Sequence, residues 1–409
     1  MKNWQKLKVS RVFLLLLVTH LLSCTFTKVP TQIYSHPAWK GEDEDHYLKK
    51  VVLVSTHFFQ GNLNPKKEEF PDQFVKLHGD DKRFKFPKLE VGGAAVLSSY
   101  LRIFQKRYPK QSILLDTGNI FDHFDDSNSE KTLRFYEKIK FDGVLYTHRD
   151  LTTYLKNTKN NEASFKVPFL NSNIIDLKTG EPFADQNHAP YKLIKVSGLK
   201  VGIIAVTSLE TLNSEKRKNL SGVYFEDPIL SFLKAKKALA RKGAQLIFLM
   251  AHLNSHCKAP YPKESKTFAS RANYQLSCGG KSDELMTLIR RLPPHSVDAI
   301  VLSKGTLGSG YIGDLPVIQG PGKGQYISRV DFYYDIGEAK LIREKTLVHP
   351  PVKVCHSFFL PTQDCYLGDR NSPVKINRWD MLKESSFQVM PAKFLGHEVS
   401  AQPDIQSLL

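Results

Sequence analysis

No apolar run in this 409-residue chain is long enough to cross a membrane. The longest starts near Phe13 and is broken by Thr19 and His20, well short of the ~20 residues that a helical span needs. No C-x-x-C pair occurs among the five cysteines; zinc ribbons and fingers usually show that spacing, so its absence argues against them. Internal repeats and low-complexity blocks are missing too, and the repeat architectures go with them. Acids are the scarcer charge: 41 Asp and Glu stand against 58 Lys and Arg, for a net charge of +17. Such a surplus attracts polyanions. The lysines nevertheless lie scattered among Asp and Glu with no interleaved aromatic stripe. The pattern reads as a solvated basic surface, and no nucleic-acid partner is expected.

What is present begins at the N-terminus. Lys2, Lys6, Lys8 and Arg11 precede the apolar residues 13–18, and Leu21-Leu22-Ser23-Cys24 follows. A charged region, a short apolar region and an ending in small residues make a secretory signal. The ending resembles the lipobox of bacterial lipoproteins, whose cysteine carries the lipid of the mature protein. The resemblance implies a signal peptide over residues 1–23, lipidation at Cys24, and a membrane partner through that lipid. It also implies the bacterial cell envelope, at the periplasmic or surface face of the outer membrane, because Thr25 stands where an inner-membrane retention signal has Asp. Loss of residues 1–23 removes four positive charges and leaves +13, so anionic lipids or phosphorylated polymers are the polyanions such a chain would meet. Residues 24–47 are polar, with Pro30, Pro37 and an acidic run, and read as a flexible tether. With Cys24 lipidated, Cys257, Cys278, Cys355 and Cys365 remain, an even number that reads as disulfides in an oxidising compartment. Three connectivities are open, of which the local pairs Cys257–Cys278 and Cys355–Cys365 are the simplest.

Beyond the tether, strand-like runs alternate with helical patterns. The runs are 51–56, 113–116, 143–146, 169–173, 191–196, 201–206, 246–251, 299–302, 317–319 and 327–334. A helix over 228–242 is signalled by Asp227 as N-cap, Pro228 at the first position and Gly243 just past the end. Another over 93–107 places Ala94, Leu97, Leu101 and Phe104 at helical spacing. The alternation predicts an α/β fold. Gly308-Ser309-Gly310-Tyr311-Ile312-Gly313 spells G-x-G-x-x-G, but a strand-like run follows it where a dinucleotide site needs a helix, so it reads as a Gly-rich turn.

Five short segments carry chemistry in their spacing. Ser55-Thr56-His57-Phe58-Phe59-Gln60-Gly61 resembles the opening T-N-D-x-H-G of the calcineurin-like metallophosphoesterases, the 5′-nucleotidase branch most closely. Phe58 stands at the Asp and Gln60 at the His. Leu114-Leu115-Asp116-Thr117-Gly118-Asn119 is similar to L-L-D-x-G-D, with the bridging carboxylate become Asn119. Tyr146-Thr147-His148-Arg149 resembles G-N-H-E, with Thr147 at the ligand Asn. Met250-Ala251-His252-Leu253 keeps the L-x-H-L histidine, and Leu302-Ser303-Lys304-Gly305-Thr306 stands at G-G-H-x-H with Lys304 and Thr306 at its two histidines. Of seven ligand positions only His252 is kept. The resemblance covers about 48–345 and implies one domain over 48–349, a metallophosphatase-like sandwich of two mixed β-sheets flanked by helices. Residues 350–409 are too few for the family's second, nucleotide-recognising domain, and read as a Pro-rich C-terminal extension that wraps the main domain.

The resemblance implies two divalent ions about 4 Å apart that activate water and neutralise phosphoryl oxygens. Phe58 cannot ligate, Gln60 and Asn119 offer neutral oxygens, and Thr147 and Thr306 are poor donors to a transition metal. The Lys304 ammonium would repel a cation. No cofactor is therefore expected, and the chain reads as a pseudoenzyme: a membrane-anchored, non-catalytic binding or structural protein. By resemblance, His148 is the histidine that would contact phosphate and assist the leaving group. The other reading is a histidine kept for packing, and Arg149, in place of the orienting acid, weakens the catalytic one. Two further readings stay open. A phosphoesterase or nucleotidase could work through a rebuilt metal site using His148, His252 and the acids within 122–126, a block that equally reads as a solvated loop. A hollow lined by Lys304, His148 and Arg149 could take an anionic or phosphate-bearing ligand without metal, unless Phe58 and its neighbours fill it.

Overall fold

A computed structural model describes residues 47–68, 89–122, 126–158, 165–209, 222–258, 274–279, 283–303, 309–360, 365 and 388–409. Cys24, Lys304 and Thr306 lie outside these residues.

The strands of the two large sheets are numbered along the chain. In the first sheet β1 (Leu48–Thr56), β2 (Ser112–Asp116), β3 (Gly143–Leu145), β4 (Phe169–Leu170) and β5 (His188–Ala189) lie side by side and parallel. The chain then builds the second sheet from β6 (Tyr191–Val196), β7 (Leu199–Thr207), β8 (Leu246–His252), β9 (Ala299–Leu302), β10 (Gly310–Ile312) and β11 (Leu315–Ile318). Its order is β10-β11-β9-β8-β7-β6, parallel at the centre and antiparallel at both edges. Finally β12 (Tyr326–Asp335) returns to the first sheet antiparallel to β1, and β13 (Lys340–Leu341) and β14 (Leu347–Lys353) pair antiparallel with β12.

Side-chain alternation decides how these sheets stack. On β1, Val51 and Leu53 join the core between the sheets while Val52 and Val54 face the helices; on β8, Phe248 and Met250 point inward and Ile247, Leu249 and Ala251 outward. Successive residues of a strand point to opposite faces, so a strand apolar throughout is covered on both. Helices α1 (Ala94–Arg107), α2 (Ser129–Ile139) and α3 (His148–Thr158) cover the outer face of the first sheet. Helices α4 (Pro228–Arg241) and α5 (Glu284–Arg291) cover the second. The result is the α/β sandwich of two mixed sheets flanked by helices.

Local chemistry sets the boundaries. Asp227 caps α4 by accepting from the amides of Ile229 and Leu230. α1 opens after Gly93, at φ 83°, where a Cβ would lie 2.7 Å from the Pro65 nitrogen, so only glycine fits. The strand expected over 169–173 stops at Leu170, because the Asn171 side-chain oxygen accepts from the amides of Asn173 (2.8 Å) and Ile174 (3.1 Å) and turns the chain. Gly310 and Gly313 belong to the β10–β11 hairpin. α2, α3 and α5 add to the two helices read from the sequence; α2 carries its own signal in Thr132, Leu133, Tyr136 and Ile139, all on one buried face.

β14 runs across residues 349 and 350. Beyond it, Val354, Phe358, Ala392, Phe394 and Ile405 enter the core beneath α1. The Tyr100 hydroxyl donates to the Cys355 carbonyl (3.0 Å), and Arg102 grips both oxygens of Asp404 at 2.7 Å from the short helix α6 (Pro403–Gln406). Both local disulfides, Cys257–Cys278 and Cys355–Cys365, are closed. No helix among the described residues is long and apolar enough to cross a membrane, which says nothing of crossing by strands.

Candidate functional site

Parallel strands deliver their C-terminal ends to one edge of the sandwich, and four of the loops that leave them meet there. Asn119 follows β2, Thr147 follows β3, His252 ends β8 and Ser303 follows β9. The Thr147 hydroxyl lies 3.1 Å from the Asn119 side-chain oxygen, the Asn119 amide 3.3 Å from His252 Nδ1, and the Ser303 hydroxyl hydrogen-bonds the same nitrogen. Three ligand positions read from the sequence, His252 kept and Asn119 and Thr147 replaced, are thus brought into one row spanning both sheets.

The loops keep an unusual backbone. Phe58, Gln60 and Asn119 have φ of 50°, 53° and 50°, a left-handed conformation that costs a non-glycine residue about 1–2 kcal/mol. Packing and hydrogen bonds hold it. Gln60 N donates to Asn119 O (2.9 Å), Gly61 N to Ile120 O (2.7 Å) and Lys323 N to Phe58 O (2.8 Å). Gly118, at φ 78°, passes so close to β3 that a Cβ would sit 2.2 Å from the Leu145 carbonyl oxygen. Phe58 itself is half-buried, while Phe59 is buried and stacks on Phe135 with centroids 5.2 Å apart. The residue that packs inward is therefore Phe59, not Phe58.

Two buried groups that the sequence reading passed over organise these loops. The first is Asp150. One of its oxygens accepts from the amides of Asn119 (2.8 Å) and Thr147 (3.1 Å) and from the Thr147 hydroxyl (2.7 Å), the other from the amide of Ile120 (2.8 Å). The Asp150 amide returns a bond to Thr147 Oγ1 (3.3 Å), which makes the reciprocal capping box at the start of α3. Thr147-His148-Arg149-Asp150 has the [ST]-x-x-[DE] spacing of that motif, so the signal was present in the sequence. Burial raises the Asp150 pKa, and the Thr147, Asn119 and Ile120 bonds lower it again in part.

The second is His57. Its Nδ1 donates to the Leu302 carbonyl of β9 (2.8 Å), and its Nε2 meets the hydroxyls of Ser55 (3.0 Å) and Ser328 (3.2 Å). The ring pins the first sheet to the second. Burial pushes its pKa down to about 4, with the Leu302 bond opposing, so it is neutral. Beside it, Asp116 accepts from the Thr56 hydroxyl and from the Gly118 amide (2.9 Å). Burial pushes Asp116 up to about 7, against the lowering effect of those bonds and one from Tyr136.

The remaining site residues fall around this row. His148 is half-buried at the first turn of α3, and its carbonyl accepts from the Thr152 hydroxyl (2.9 Å). Arg149 is half-buried; burial lowers its pKa while the charges of Asp150 and Asp122 raise it. Of the acidic block, His123, Phe124 and Asp125 lie outside the described residues, and Asp126 starts a 3₁₀ turn that leads into α2.

A pair of divalent ions wants carboxylates and imidazoles. Asn119, Thr147 and His252 supply one imidazole and two neutral oxygens. The two nearby carboxylates, Asp116 and Asp150, are already engaged as acceptors. Among the described residues no three His, Cys, Asp or Glu side chains form a cluster that could hold a metal ion. This donor set does not fit a dinuclear centre.

A scan against protein-family models finds no match. Curated relatives include a 5'-nucleotidase of Vibrio vulnificus, 21% identical over 299 residues that cover 68% of this chain and 52% of the relative. Another is a 2',3'-cyclic-nucleotide 2'-phosphodiesterase/3'-nucleotidase of Yersinia enterocolitica, 27% identical over 210 residues, or 48% of this chain and 30% of the relative. Among solved structures, a 5'-nucleotidase precursor from Thermus thermophilus superposes with a TM-score of 0.52 at 18% identity, covering 75% of this chain and 55% of that one. The chain spans about half the length of the first of these relatives.

Proposed function

We propose that this chain, whose sequence relatives and fold both support the calcineurin-like phosphoesterase superfamily on its 5′-nucleotidase side, is a pseudoenzyme that binds or builds and does not hydrolyse. The single observation that carries the reading is the chemistry of the former ligand row. Asn119, His252 and Ser303 bond to one another across the sheet ends, with the Thr147 hydroxyl 3.1 Å from the Asn119 oxygen and no carboxylate among them. The acid that would restore charge, Asp150, spends both oxygens on Asn119, Ile120 and Thr147. A neutral, self-satisfied row has little with which to balance the charge of two cations.

In this reading Asp150 does part of what metals do in a hydrolase: it ties the loop after β2 to the loop after β3. The protein acts from the cell envelope, held by a lipid on Cys24. Its ligand at this edge is a phosphate-bearing anion met by the half-buried His148 and Arg149, because a partly desolvated cation attracts an anion more strongly than an exposed one does; Lys304, read from the sequence as a third contact, lies outside the described residues. Protein purified without chelator and analysed for Mn, Fe and Zn should carry no stoichiometric metal, and it should not turn over an aryl phosphodiester above background. Phosphate titrated in chelator should bind, and Lys304→Ala should weaken it.

A second reading rests on the two histidines kept at family positions, His148 and His252, and on the nucleotidase names of the relatives. It makes the chain an active phosphoric ester hydrolase with a rebuilt metal site. Two metal equivalents per chain, with activity lost on His148→Ala, would establish it over the first.

A further inference from the structure

We infer that a second cleft, at the opposite end of the first sheet, is a binding site for a small organic anion, a carboxylate or phosphate monoester on a flat apolar body. The cleft encloses about 710 Å³ and lies where the chain enters β3, β4 and β6, not where it leaves them. That size is usual for a small-molecule site. Strands β3 and β4 separate it from Thr147, and nothing in the ligand row touches it.

Charge gives the sign of the occupant. Lys140, Lys166 and Lys192 line the cleft against one acid, Glu137. Among the described residues none of the three lysines forms an ion pair, although the charge of the Asp142 carboxylate acts on Lys192 from behind the cleft lining. Lys192 is the deepest. Its ammonium donates to the Asp142 carbonyl oxygen at 2.8 Å, while an oxygen of the Asp142 carboxylate accepts from the Leu114 amide, also at 2.8 Å. An ammonium has three donors, and a half-buried one interacts more strongly with an anion than an exposed one. Lys140 and Lys166 are exposed at the rim, where they would guide an anion more than hold it.

The walls supply the apolar half. Phe141 is stacked on Tyr136 with centroids 4.9 Å apart, and the Arg134 guanidinium lies over Phe165 at 5.6 Å. Both rings are therefore fixed, and Pro168 adds a third apolar face. Sheet hydrogen bonds hold the frame: Val144 N donates to Pro168 O and Phe169 N to Asn187 O, each at 2.9 Å. A rigid apolar wall with cations at one end suits a flat anion better than a bare ion, because the wall rewards burial that inorganic phosphate does not offer.

Titration calorimetry in chelator with phenyl phosphate, benzoate and inorganic phosphate tests this. Phenyl phosphate or benzoate should bind at about 1 mM or tighter, at least tenfold tighter than inorganic phosphate. Lys192→Met should weaken benzoate binding at least tenfold and Lys192→Arg much less, whereas benzoate, which carries no phosphate for the ligand row, should bind unchanged to the His252→Ala and Arg149→Ala variants. Because Lys192 is half-buried, the Lys140→Glu/Lys166→Glu double variant, altered only at exposed positions, gives an independent arm and should also weaken binding. Three results would overturn the site: no heat from either organic anion, an affinity of the Arg149→Ala variant for inorganic phosphate equal to its affinity for benzoate, or benzoate affinity that follows His252 or Arg149 and ignores Lys192. The last would place the anion at the ligand row instead, so this inference and the proposed function fail separately.

Discussion

At the scale of single residues, the candidate site is held by buried groups whose protonation is set by desolvation. Asp150 accepts four hydrogen bonds. Asp150→Ala would strand the amides of Asn119, Ile120 and Thr147 inside the protein, at about 1–3 kcal/mol for each unsatisfied group. A loss of roughly 3 kcal/mol or more in urea unfolding is expected, with Asp150→Asn less harmful because its amide oxygen can still accept. His57 and Asp116 give a pH signature of opposite signs. Unfolded His57 would take up a proton near 6.5 and folded His57 only near about 4, so acidification through that window destabilises by roughly 3 kcal/mol. Unfolded Asp116 would protonate near 3.8 and folded Asp116 near about 7, so the same acidification stabilises by roughly 4 kcal/mol. In the wild type the two nearly offset each other. Asp116→Asn removes the second and leaves the first, so the stability of the variant relative to wild type should fall steadily from pH 7 to pH 4. Urea midpoints across that range measure it, and a constant difference would mean that Asp116 is ionised in the folded protein.

At the scale of elements, the C-terminal segment behaves as part of the first helical layer. Phe394 packs on Tyr100 with ring centroids 4.8 Å apart, and Ile405 is fully buried. The Cys355–Cys365 bond closes a loop of sequence separation 10 beside this contact. Breaking it with Cys355→Ser and Cys365→Ser should reduce stability by roughly 2–4 kcal/mol through the freedom returned to the unfolded chain. Peptide mapping of the untreated protein should recover both local disulfides and no free thiol at these four cysteines. Capping explains which elements were legible. α4 was readable from Asp227, Pro228 and Gly243 because those residues act locally. β4 is shorter than the run 169–173 suggests, since Asn171 ends it with its own side chain and looks from sequence like any polar residue.

At the scale of the whole molecule, the proposed anchor is the property that decides where any binding takes place. Cys24→Ala should move the protein from the membrane fraction to the soluble fraction on cell fractionation, because several acyl chains on one cysteine hold a protein stably where one does not. A variant that stays membrane-bound would leave the anchor unsupported.

Some of this protein was fixed by sequence alone. Alternating apolar runs with helical patterns between them gave the α/β class, and five motifs in the right order pointed to the sandwich and to the positions of Phe58, Gln60, Asn119, Thr147 and His252. Those features are local, and each depends on residue type and spacing. What the motifs could not say is which side chains tie these positions together. Only the tertiary structure set Asp150 against two loops, pinned one sheet to the other through His57, and turned Phe59 inward while Phe58 stayed half-buried. Each of these joins parts of the chain or faces of a sheet whose relation is decided by packing. Desolvation follows from that packing too, so the raised carboxyl of Asp116 and the depressed imidazole of His57 exist only in the folded state.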